Sequence, residues 1–240
     1  MRLSRCQLKW QNQTMPEFLV AHATDLLSFA LSATALLAYQ LYLSWRTRCD
    51  PTSSAQDVML MARAAWVESV MRERRDILAV QTLRNSTMAA SFMASTAVLL
   101  IIGVLTLSAQ GNQLSGTWHS LNFMGRFSAE MWLFKLLVML FDLLAAFFAF
   151  SMSVRMFHHL GYLINVPLAS PLAAAQTGHV VAQLNRAGIY YRIGTRAYYF
   201  TLPLLFWLFG PLFLLGATAL LIFFLYHLDR APRRDADLTG

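Results

Sequence analysis

The chain has 240 residues, 57% of them hydrophobic and only 13% charged, with a formal net charge of +7 at pH 7. Soluble domains carry about 25% charged residues, so this much apolar surface exceeds what one core can bury, and lipid must be part of the solvent. The basic balance does not mark a nucleic-acid binder. Its cations flank apolar stretches, where they orient a chain and meet anionic headgroups, and no basic, aromatic-interleaved recognition module is present.

Residues 1–24 read as an N-terminal tail without the compact apolar core or small-residue cleavage site of a signal peptide, so the first span is expected to stay in place. That span is predicted over 26–45, introduced by Thr24 and Asp25 as capping groups and closed by the aromatic and basic anchor "YLSWRTR". Cys6 and Cys49 flank it and fall on opposite sides of the membrane, so neither a disulfide nor a metal site is expected. Next, Ser54 and Asp57 form a capping-box-like start. The helix that follows sets Met59, Ala62, Trp66, Val70 and Ile77 against Arg63, Glu68, Arg72 and Arg75. Such a helix either lies at the interface and turns, or continues into the second span.

The second span is predicted over 78–107 and is followed by a Gly/Ser/Asn-rich loop. The third covers 129–154, and its helix is expected to extend as far as Leu163. Ser170 as a cap, Pro171 at the first helical position and Gly188 as a stop then predict a short amphipathic helix. The fourth span is predicted over 198–227, kinked by Pro211 near Trp207. Stretches 85–125 and 197–228 contain no Asp, Glu, Lys or Arg, and each exceeds the roughly 20 residues that cross a bilayer. The predicted fold is therefore all-α: one domain over 25–229 with four transmembrane helices and two amphipathic interfacial connectors, then a tail over 230–240. No internal repeat is visible, which weakens an inverted-repeat transporter. Most Lys and Arg gather on the connector side, which predicts cytoplasmic connectors with both termini outside, against the basic clusters at the two ends.

Three sets of polar residues enter the apolar segments. Gln81, Arg84, Asn85, Ser91 and Ser95 share a broad face of the second helix, which Gly103 extends. They either let another helix approach closely or line a polar cavity. Lys135, Asp142 and Ser153 share one face of the third helix. Lys135 lies near enough to the helix start to reach the interface, whereas Asp142 falls near mid-bilayer and needs a partner from another helix, another subunit or water. His158 and His159 are adjacent and point about 100° apart on a helix, so they do not share an ion easily. No metal, cofactor or catalytic constellation is expected.

The stretch "WVESVMRERRDILAVQTLRNSTMAASFMASTAVLLIIGVL" resembles the signature of the domain of unknown function 599 family of bacteria and plants. The likeness continues in "AYQLYLSWR", "SMSVRMFHHLGYLIN", "GTRAYYFTLPLLFWLFGPLFLL" and "YHLD". The resemblance covers most of the chain from about Asp25 and implies a four-span membrane protein, here of a bacterial inner membrane, without assigning an activity. Its motif positions are matched at Trp66, Gln81, Arg84, Asn85, Lys135, Arg155, Asn165, Arg196, Tyr199, Pro203, Trp207 and Pro211, whereas Asp142 falls outside the pattern. On the predicted topology Arg84, Arg155, Asn165 and Arg196 collect at the connector-side helix ends. They form either an anion- or lipid-headgroup vestibule, with Gln81 and Asn85 as neutral donors, or a set of interfacial cations that hold the helix ends in register. The function expected from these features is non-enzymatic, exerted by assembly as a homo-oligomer or as a subunit of a membrane complex in contact with membrane lipids. The alternative is an oligomeric channel or transporter for an ion or small anion.

Overall fold

The computed structural model describes residues 22–49, 55–73, 75–110, 129–165 and 173–228. Residues 1–21 with Cys6, the C-terminal tail, the loop over 111–128 and the caps expected at Ser54 and Ser170 lie outside the described residues, whereas 22–24, read as tail, are described and α1 begins at Ala23. Among these residues six helices follow in chain order: α1 (Ala23–Cys49), α2 (Ala55–Glu73), α3 (Asp76–Ala109), α4 (Ala129–Leu163), α5 (Ala173–Trp207) and α6 (Pro211–Leu228). By length and apolarity, four of them can cross a membrane: α1 over Ala23–Trp45, α3, α4 over Glu130–Leu163, and α6.

The first connector turns before the membrane. α2 ends at Glu73, and the chain re-enters a helix at Asp76. Val67, Val70 and Met71 of α2 pack on Ala79 and Leu83 of α3, Leu160 of α4 and Val180 of α5. Buried apolar area, at roughly 25 cal/mol per Å², thus fixes this helix against the ends of three others.

The second connector departs from expectation. Gly188 does not stop a helix, because α5 runs unbroken from Ala173 to Trp207. The glycine is there for space: a Cβ at Gly188 would overlap the guanidinium of Arg63. Arg63 is accordingly turned inward and half-buried, not on the solvated face its spacing suggested. Six residues on, a Cβ at Gly194 would lie 2.8 Å from ring carbons of the fully buried Phe150. Gly194→Ala is therefore expected to cost about 1–3 kcal/mol by overpacking, measured as a lowered unfolding temperature in detergent. An unchanged transition would show that the ring moves freely.

The fourth predicted span is two helices rather than one kinked helix. Leu208, Phe209 and Gly210 each donate an N–H to the carbonyl three residues back, at 3.1–3.2 Å, which tightens the end of α5. Gly210 then takes φ 146°, a backbone region open to glycine. Pro211 opens α6 at the position where a missing N–H costs nothing. Pro203 is accommodated inside α5, buried.

α5 runs antiparallel along α4, and four polar links mark the register. Lys135 Nζ donates to the Trp207 carbonyl, Thr201 Oγ1 to Asp142, Ser153 Oγ to the Ala187 carbonyl and Gln183 Nε2 to Met156 Sδ. From Lys135 to Met156 this seam spans about 30 Å at 1.5 Å per residue, the thickness of a bilayer core. α6 folds back from the α5 end, with Leu214 beside Trp207 and Leu221 and Leu225 beside Tyr39. The starts of α1 and α4 and the α5–α6 turn therefore share one end of the bundle. The ends of α1, α4 and α6, the start of α5 and all of α2 share the other.

Candidate functional site: a sealed polar core and an outward polar stripe

Polar groups occupy two kinds of place in this bundle. The first is buried. Asp25 lies in the opening turn of α1 and Lys135 near the start of α4, and Lys135 Nζ stands 2.7 Å from Asp25 Oδ1, each side chain only 9% exposed. Trp207 Nε1 donates to the same carboxylate oxygen at 3.1 Å, and the Trp207 carbonyl accepts from Lys135 Nζ at 3.2 Å. The ammonium also lies 5.3 Å from the centroid of the indole ring, a cation–π distance. Phe29 stacks on that indole at 4.7 Å, and Phe134 meets it edge-on at 6.1 Å. Helix electrostatics reinforce the pair, with the carboxylate at a helix N-terminus and the ammonium at a C-terminus.

Lys135 thus does not reach out to the interface, as its depth suggested; it is drawn inward by a partner 110 positions earlier in the chain. Asp142 finds the cross-helix partner it needed: Thr201 Oγ1 lies 2.7 Å from its Oδ2, with the Ala197 carbonyl at 3.2 Å as the other acceptor for that hydroxyl. A threonine hydroxyl carries one proton, so it satisfies one of these oxygens at a time. Asp142 and Lys135 remain on separate rungs of the α4–α5 seam.

The second place is the surface. α3 meets the bundle through Ala79, Leu83, Ala90, Ala97 and Val104, a stripe of mostly small residues. Gln81, Arg84, Asn85, Ser91, Ser95 and Gly103 are all exposed, centred on the opposite side of the same helix at 100° per residue. Arg155 on α4 is exposed as well, and Asn165 is exposed with its Nδ2 donating to the Gly161 carbonyl at 2.9 Å. Arg196 of α5 donates through Nη1 to Gln40 Oε1 of α1. No hydrogen bond or ion pair among the described residues joins Arg84, Arg155, Asn165 and Arg196 to one another, so each meets its own surroundings.

The remaining motif residues serve the architecture. Trp66 flanks the core beneath α2, Tyr199 flanks the α1–α6 contact, and Pro203 and Pro211 shape α5 and the start of α6. Asp25, Lys135 and Arg63 are the residues that the sequence reading places differently: Asp25 as a cap, Lys135 at the interface and Arg63 on a solvated face, whereas the fold buries the first two as a pair and turns the third inward.

The arrangement defines a helical membrane protein with a buried Asp25–Lys135 pair and a second apolar helix that turns carboxamides and hydroxyls outward. The sequence profile of the family described as "Protein of unknown function, DUF599" matches residues 27–234, and the chain belongs to this family. No curated protein and no solved structure matches it.

Proposed function

We propose that the protein works by assembly in the membrane, as a parallel homo-oligomer joined through the outward face of α3, without catalysis. The observation that carries this reading is the exposure of Gln81, Asn85, Ser91, Ser95 and Gly103 on one side of a helix whose other side already packs. α3 has 34 residues, about 50 Å at 1.5 Å per residue, so Ser91 and Ser95 lie near mid-bilayer. Gln81 and Asn85 lie nearer the connector-side boundary, where a carboxamide that loses water without gaining a bond costs about 1–3 kcal/mol. Two copies of α3 side by side offer each carboxamide its own counterpart, and the small residues at 91, 95 and 103 let backbones come close. The channel alternative has less support, because Asp142 is engaged by Thr201 on a different seam from this stripe.

Interhelical polar contacts in membranes contribute about 0.6–2 kcal/mol. Asn85→Leu is therefore expected to weaken self-association about three- to thirtyfold, read as the mass of the purified chain in lipid nanodiscs over a dilution series. A wild-type chain that is monomeric at every concentration would overturn the proposal.

We further propose that α5 crosses the membrane in the shelter of α4, although its composition is less apolar than that of the other spans. The end of α6 then joins the connector side, and in the sequence Arg230, Arg233 and Arg234 come directly after it. The positive-inside bias becomes strong, and it supports a cytoplasmic connector side with the start of α1 on the far side.

A further inference from the structure

Where α2 crosses the first turns of α3 there is an open groove of about 360 Å³, lined by Arg63, Trp66, Thr82, Leu83, Ser86 and Phe157 among others. Among the described residues its cation has no counter-charge. Arg63 makes no hydrogen bond or ion pair among the described residues, and burial holds its guanidinium below its ordinary pKa. It stays charged at neutral pH all the same. Two α2 carboxylates are otherwise placed: Glu68 is exposed, and Glu73 is engaged by Arg75 at 2.5 Å and by Ser69. Opposite Arg63 stand two hydroxyls one helical turn apart. Thr82 Oγ1 donates to the Leu78 carbonyl at 2.9 Å and Ser86 Oγ to the Thr82 carbonyl at 3.0 Å. With their protons so committed, both oxygens present lone pairs to the groove and call for donors. The remaining walls are apolar, and α2 marks the end of the spans, at headgroup level.

A half-buried guanidinium, two hydrogen-bond acceptors, an indole and an apolar floor describe one kind of molecule. We propose that this groove binds the head of an anionic, hydroxylated phospholipid of the phosphatidylglycerol type. The phosphate pairs with Arg63, a match of planar donors to phosphate oxygens. The glycerol hydroxyls donate to Thr82 and Ser86, and the acyl stem lies on Leu83 and Phe157. A phosphocholine head is the natural control, since it has no donor for the hydroxyls and brings a second cation to Arg63. Thr82 and Ser86 lie along the edge of the α3 packing stripe, on the flank opposite Ser91 and Ser95, and the lipid test reads bound lipid rather than self-association, so the two proposals fail separately.

The test is lipid titration of the purified full-length chain in detergent, with bound lipid counted by native mass spectrometry. Phosphatidylglycerol is expected to bind at least tenfold tighter than phosphatidylcholine. Arg63→Gln, which removes the charge, and Ser86→Phe, which fills the groove and leaves Arg63 intact, are each expected to abolish that preference. Circular dichroism establishes that each variant is folded, and if Arg63→Gln is not, Ser86→Phe decides alone. Equal binding of the two lipids by the wild type, or a preference retained in a folded variant, overturns the proposal. Inorganic phosphate displacing the lipid at millimolar concentration also overturns it, by showing that the site takes a free anion.

Discussion

Lys135→Met is expected to destabilise the protein by about 3–5 kcal/mol, the cost of leaving one member of a buried ion pair behind. The Asp25 carboxylate, 9% exposed, would keep only the Trp207 N–H as a partner among the described residues. Methionine fills a volume similar to that of the lysine stem, so little of the loss comes from a cavity. The double variant Asp25→Asn/Lys135→Met is expected to recover most of it, because the asparagine oxygen still accepts from the indole and no charge remains buried. Thermal unfolding in detergent, followed by circular dichroism, separates the cases, with a fall in Tm on the order of 10 °C for the single variant. A double variant as unstable as the single one would show that this pair does not lock α1, α4 and α5 together.

Tags placed before α1 and after α6 are expected to be accessible from opposite faces of the membrane. The expectation rests on the α4–α5 seam. Lys135 meets Trp207 at one end and Met156 meets Gln183 at the other, so α5 climbs the full height of α4 and α6 descends again. Impermeant labelling of intact cells against opened cells reads the outcome as all or none. Both tags on one face would mean that α5 does not cross the membrane beside α4, or that α6 does not return across it.

Much of this architecture is legible in the sequence, because length and apolarity alone mark α1, α3, α4 and the apolar stretch that ends in α6. The errors have one physical source. Gly188 is read locally as a stop and Pro211 as a kink, whereas tertiary contacts and the backbone at Gly210 decide what each does. Arg63 needs the missing side chain of Gly188, α5 carries Pro203 without ending, and the break comes at Gly210, where the backbone turns to positive φ. The site divides in the same way. Asp142 calls for a partner by its depth, and Thr201 answers from the neighbouring helix. Asp25 looks like a cap, and only the fold brings Lys135 and Trp207 to it. Periodicity grouped Gln81, Arg84, Asn85, Ser91 and Ser95 on one face, but it carries no information on whether that face looks inward or outward.

That outward face is where the account is most directly tested. In a chain with Cys6 and Cys49 replaced by serine, Ser95→Cys places a thiol on the exposed stripe, and Ala97→Cys places one on the fully buried packing side. Oxidative cross-linking in native membranes is expected to give a dimer with Ser95→Cys and none with Ala97→Cys. Cysteines at 91 and 95 that both stay monomeric, or a dimer formed equally well through position 97, would contradict assembly through α3.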